Sequence, residues 1–104
     1  LENYECYEMA RDLWMSYKTD NDSSKLIEAT RVLEECLGKK TEDMGLVAKS
    51  SWLYYVVVSN LDPSREKNVR RYADYAITLD NRYNILDNRR LDLGDFKEVI
   101  EAFQ

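Results

Sequence analysis

Apolar residues recur three and four positions apart along most of this chain, and short runs of turn and cap formers interrupt them. That spacing puts one apolar stripe on each of several consecutive helices. In residues 2–18, Tyr7, Ala10, Trp14 and Tyr17 form such a stripe, and Tyr4, Met9 and Leu13 widen it. The run Thr19, Asp20, Asn21, Asp22, Ser23, Ser24 then ends one helix and caps the next. Residues 24–37 carry Leu26, Ala29, Val32, Leu33, Cys36 and Leu37 on one side. Gly38 follows as the expected C′ residue, and Lys39 and Lys40 suit the negative end of the helix dipole.

Thr41 is the expected cap of a third helix over residues 42–60. Its second half, residues 52–58, is apolar on every side, as in a helix buried on several faces. The valines and tyrosines there also suit a strand, but no nearby segment offers a pairing partner, so the helix is the expectation. Pro63 fits the first position of a fourth helix over residues 63–79, with Val69, Tyr72, Ala73, Ala76 and Ile77 inward, and Asp80 and Asn81 are expected to break it. A fifth helix over residues 82–91 and a sixth from residue 95 to the end complete the expectation. The sixth carries Phe96, Val99, Ile100 and Phe103. The expected fold is all-α: one domain over residues 1–104, with about six helices in consecutive antiparallel hairpins.

Residues 83–103 resemble a tetratricopeptide repeat. Gly94, Phe96, Val99 and Phe103 match the turn and second helix of that family, and Tyr83 and Leu86 match its first helix. Asp87 and Arg90 depart from the family pattern, which has a small and an aromatic residue there. A similar small–large–small pattern recurs at Ala29, Leu33 and Cys36, and more loosely at Val69, Ala73 and Ala76. The separations are uneven, so the chain resembles a degenerate array, with an irregular helical bundle as the alternative. The resemblance implies right-handed stacking of helix pairs and a concave peptide-binding groove. It transfers no ligand residues to particular positions.

Composition narrows the chemistry. The 104 residues include no histidine, which removes His-based acid/base catalysis, His metal ligation and His-activated nucleophiles from this chain. Glycine-rich phosphate loops, nucleophile elbows and Cys-x-x-Cys spacings are missing as well. Adjacent carboxylates such as Glu34 and Glu35 point about 100° apart on a helix and do not converge on one atom. The expectation is a non-catalytic chain without cofactor or metal.

Fifteen Lys plus Arg against 20 Asp plus Glu leave a formal charge of -5, which argues against a general nucleic-acid coat. The charge is uneven, however: residues 44–90 balance to +3 between flanks at -5 and -3. Arg65, Arg70, Arg71 and Arg90, interleaved with Tyr72, Tyr75 and Tyr83, form a candidate surface for an acidic protein segment. Stacking of single-stranded RNA on those tyrosines is the weaker alternative. Eight tyrosines and two tryptophans exceed what so small a domain can bury, so some should line an exposed groove or a contact between copies.

The function expected is a protein-protein interaction module that holds a peptide or partner helix in a Tyr/Arg-lined groove. The alternative is a self-associating structural protein that uses the apolar face of the sixth helix. Cys6 and Cys36 are read as reduced, partly buried thiols, with one disulfide left open. The longest apolar stretch is about a third of a membrane helix, and no leader pattern is visible, so a cytoplasmic chain is expected. The start at Leu1 leaves upstream residues open.

Overall fold

A computed structural model describes residues 3–83, and these are almost wholly helical. The helices are α1 (Asn3–Asp20), α2 (Ser23–Gly38), α3 (Met44–Leu61) and α4 (Glu66–Tyr83), with a 3-10 turn at Pro63–Arg65. The count of about six is therefore corrected to four among the described residues. The expected sixth helix and almost all of the fifth lie outside those residues. The fourth helix also does not break at Asp80 and Asn81. Leu79 and Asp80 are buried there, so packing carries the helix on to Tyr83 against the local preference of that pair.

The expected run between α1 and α2 does end one helix and cap the next, and two later boundaries differ from expectation. Between α1 and α2, Asn21 takes the left-handed position at φ 56, and its N–H donates to the Tyr17 carbonyl at 2.8 Å. Asp22 then caps α2 by accepting from the Ser24 N–H at 3.0 Å. Asp43, not Thr41, caps α3, accepting from the Leu46 N–H at 3.1 Å, while Thr41 Oγ1 accepts from the Asp43 N–H one turn earlier. Pro63 opens the 3-10 turn, so α4 starts three residues later than Pro63 suggests.

Residues 52–58 are helical, as expected, and lie within the central element of the fold. Trp52, Leu53, Tyr54, Tyr55, Val57 and Val58 are all buried. They can all be buried because α3 packs against α1, α2 and α4 at once. The buried face of α4 rests mainly on α3 through Val69, Ala73, Ala76 and Leu79, and the small side chains of the two alanines allow close approach. Two hairpins, α1–α2 and α3–α4, thus stack through α3. Even Lys49 is enclosed at 1% exposure, its ammonium 4.8 Å from the centre of the Tyr7 ring.

Cys6 and Cys36 form a disulfide with Cα atoms 5.7 Å apart, which corrects the reading of both as reduced thiols. Cys6 lies in the first turns of α1 and Cys36 in the last turn of α2, and an antiparallel hairpin brings those two ends together. No helix among the described residues is long and apolar enough to cross a membrane.

Candidate docking surface

The residues of α4 divide between two flanks of α3. Glu66, Arg70 and Asp74, four apart, run along one flank. The Glu66 carboxylate accepts from Arg70 Nε at 3.0 Å and Nη2 at 2.7 Å, and from the Tyr55 hydroxyl of α3 at 2.8 Å. Arg70, and then Tyr55, hold the Glu66 carboxyl below the ordinary glutamate range. Burial, and then the Glu66 charge, push the Tyr55 hydroxyl up. Arg70 is thus engaged within α4, on the carboxylate that joins α4 to Tyr55 of α3.

The other flank carries the aromatic and basic residues. Tyr72 is half-buried and meets Tyr54 of α3 edge-on, with ring centroids 4.7 Å apart. The Arg71 guanidinium lies 5.1 Å from the centre of the Tyr72 ring. Burial, and then the Glu34 carboxylate, raise the pKa of the Tyr54 hydroxyl, and Arg65 acts in the opposite sense. Tyr54, Tyr72 and Arg71 therefore form a continuous aromatic–cation chain. Tyr75, three residues beyond Tyr72, is 48% exposed. Tyr83 is the last residue of α4, and Arg90 lies outside the described residues.

Beside this flank is a cleft of about 450 Å³. Its lining is Leu37, Lys39, Lys40, Thr41, Met44, Val47, Ser51, Tyr72 and Tyr75. Tyr72 and Tyr75 thus face the end of α2, the α2–α3 connection and one stripe of α3. Of the sequence-derived candidates, the cleft lining includes Tyr72 and Tyr75, and Arg71 stands over Tyr72. Arg65 acts on the Tyr54 hydroxyl, and Arg70 is on the opposite flank, paired with Glu66.

Sequence reasoning did not place Lys39, Lys40, Leu37, Met44 or Val47 at a site. The two lysines were legible only as charges at a helix end. Their approach to residues 72–75 depends on α4 folding back along α3, which no local pattern encodes.

A second cleft, of about 460 Å³, lies along α1 and is lined by Glu5, Glu8, Met9, Asp12, Leu13, Ser16 and Lys25. Lys25 closes one end by donating to Ser16 Oγ at 2.6 Å and pairing with Asp20. Among the described residues no group of three or more Cys, Asp or Glu side chains is arranged to hold a metal ion. Among the described residues the carboxyl groups with displaced pKa values, Asp20, Asp22, Glu28 and Glu66, are held low by hydrogen bonds, so each is fixed further in its charged form.

No family model, curated protein or solved structure matches this chain.

Proposed function

We propose that this chain is a non-catalytic protein-interaction module that holds a peptide or partner helix against the aromatic and basic flank of α4. The observation that carries this reading is the cleft whose lining brings Tyr72 and Tyr75 together with Leu37, Met44, Val47, Lys39 and Lys40. A lining that combines aliphatic, aromatic and basic side chains suits helix-in-groove recognition. It suits RNA less well, because the lining includes aliphatic side chains and the whole chain is acidic at -5. The reading as a degenerate tetratricopeptide-type array is supported by the way α3 packs on both helices of the preceding hairpin.

The Cys6–Cys36 disulfide favours an oxidising compartment over the cytoplasm, where thiols are kept reduced. Self-association is the second reading. It is favoured by the exposed apolar side chains of the first hairpin, Tyr4, Met9, Met15 and Ile27. Sedimentation across a wide concentration range would show a monomer–dimer equilibrium if it holds, and a strict monomer removes it.

Panning a displayed random-peptide library against the immobilised full chain tests the main reading. The expected result is an enriched set whose synthetic members bind saturably at one site. Failure to enrich any peptide overturns it.

A further inference from the structure

We propose that Asn21, on the turn between α1 and α2, is the acceptor of an N-linked glycan. Asn21, Asp22 and Ser23 form the triplet Asn-x-Ser with a residue other than proline in the middle. None of the other six asparagines has Ser or Thr two positions on. The triplet alone is a pattern, because Asn, Asp and Ser are also ordinary turn formers. Two structural observations make it a site. The first is its place: residues 18–24 are all exposed, at the junction of two helices. The second is the Cys6–Cys36 disulfide, which closes the hairpin that carries this turn. Stable disulfides and N-linked glycans are both acquired on the oxidising, secretory route. This rests on the oxidising-compartment reading above and is independent of peptide binding.

The turn is held together by its other residues. The Asp20 carboxylate accepts from the Asp22 N–H at 2.9 Å and pairs with Lys25. The Asp22 carboxylate accepts from the Ser24 N–H at 3.0 Å and from the Ser24 hydroxyl at 2.6 Å. Asn21 contributes backbone: its left-handed φ of 56 and its N–H, which donates to the Tyr17 carbonyl. A glycine would adopt that conformation without steric cost. None of these bonds uses the Asn21 amide or the Ser23 hydroxyl, the two groups that define the acceptor triplet. In the transfer, Asn21 Nδ2 forms a bond to the anomeric carbon of an oligosaccharide carried on a polyisoprenyl diphosphate. The bond from that carbon to the diphosphate oxygen breaks, the lipid diphosphate leaves with the electron pair, and Nδ2 gives up one proton. Nothing is oxidised or reduced. A glycan on an exposed side chain displaces nothing in the core. It also stands clear of the α4 cleft, whose lining begins at Leu37 near the other end of the 16-residue helix α2, about 24 Å long.

The test takes the full chain from the cells that naturally make it, with free thiols alkylated before isolation. Peptide N-glycosidase in heavy-oxygen water removes an N-linked glycan and leaves an isotope-labelled aspartate in place of the asparagine. Trypsin cuts after Lys18 and Lys25, so the site is read in the peptide Thr19–Lys25. The expected result is a drop in intact mass on glycosidase treatment and labelled aspartate at position 21. Ser23→Ala keeps Asn21 and its backbone conformation, and should lose the glycan altogether. Asn21→Gln should lose it as well, and Ser23→Thr should keep it. Circular dichroism establishes that each variant is folded. An unmodified Thr19–Lys25 peptide from the wild-type chain overturns the inference. If Cys6 and Cys36 are joined in that same sample, the compartment reading stands alone; if both are alkylated, it fails too. A glycan that survives Ser23→Ala overturns the assignment to this triplet. Aspartate without the heavy isotope is the mark of spontaneous deamidation and overturns it equally.

Discussion

Cys6 and Cys36 are covalently joined across the first hairpin, tying the start of α1 to the end of α2 with 30 residues of separation. Cross-linking a loop of that length removes conformational freedom from the unfolded chain. In the chain-entropy model this is worth roughly 3 to 4 kcal/mol. Reduction, or replacement of both cysteines by alanine, should therefore lower the melting temperature by roughly 15 °C or more. Thermal melts by circular dichroism with and without reductant measure this. Equal melting temperatures would show that the disulfide does not form or does not constrain the unfolded state.

Helix α2 allows a comparison within one element. Leu33 is 0% exposed and Ile27 is 60% exposed. Leu33→Ala leaves a cavity in the packed core and should cost about 2 to 5 kcal/mol. Ile27→Ala removes a side chain of similar size from the surface and should change stability by less than about 0.5 kcal/mol. Urea unfolding of both variants decides the point, and similar losses would mean that the inward stripe of α2 is misassigned.

That stripe was legible in the sequence. Leu26, Ala29, Val32, Leu33, Cys36 and Leu37 were expected on one face; the first five are buried there and Leu37 is partly buried at its end. Residues 52–58 were expected to be a central helix for the same reason: their composition leaves no solvent face, and only a segment surrounded by others can bury such a helix. Local competition was harder to read. Thr41 and Asp43 both suit a cap, and the choice of Asp43 follows from where α3 must start to bury Gly45 and Leu46. The continuation of α4 through Asp80 and Asn81 likewise depends on contact with α3. At the candidate site, Tyr72 and Tyr75 could be named from composition and charge. Their opposite wall could not, because Lys39 and Lys40 are more than thirty residues away in sequence and only tertiary packing brings them near.

The Glu66–Arg70–Tyr55 arrangement predicts a particular acid response. The folded-state pKa of Glu66 lies below the ordinary glutamate value of 4.5, first because of Arg70 and then because of Tyr55. A depressed carboxylate pKa stabilises the folded state above the unfolded value, and that contribution is lost as pH falls through the folded value. Wild type should therefore be more stable than Glu66→Gln at neutral pH, and the gap should close progressively below about pH 4.5. Asp20, Asp22 and Glu28 titrate in both proteins and cancel in the difference. Urea midpoints measured across that range check the sign. A gap that widens on acidification would show that Glu66 is not held in its charged form.

The contact between Tyr54 and Tyr72 is the point where the candidate surface and the core of the fold share one interaction. The rings meet at 63° with centroids 4.7 Å apart, the edge-to-face geometry in which the positive rim of one ring meets the negative face of the other. Such a pair contributes about 0.5 to 1.5 kcal/mol beyond the area it buries. A double-mutant cycle with Tyr54→Leu and Tyr72→Leu isolates that coupling from the packing loss at each site. The expected coupling lies in that range and favours the wild-type pair. The cycle also separates two roles of Tyr72. Tyr54→Leu leaves the Tyr72 ring present but without its partner, so weakened peptide binding in that variant would mean that Tyr54 positions Tyr72. If instead binding falls only in Tyr72→Leu, the ring itself is the contact. A coupling of zero would remove the link between the α3–α4 packing and the surface that α4 presents.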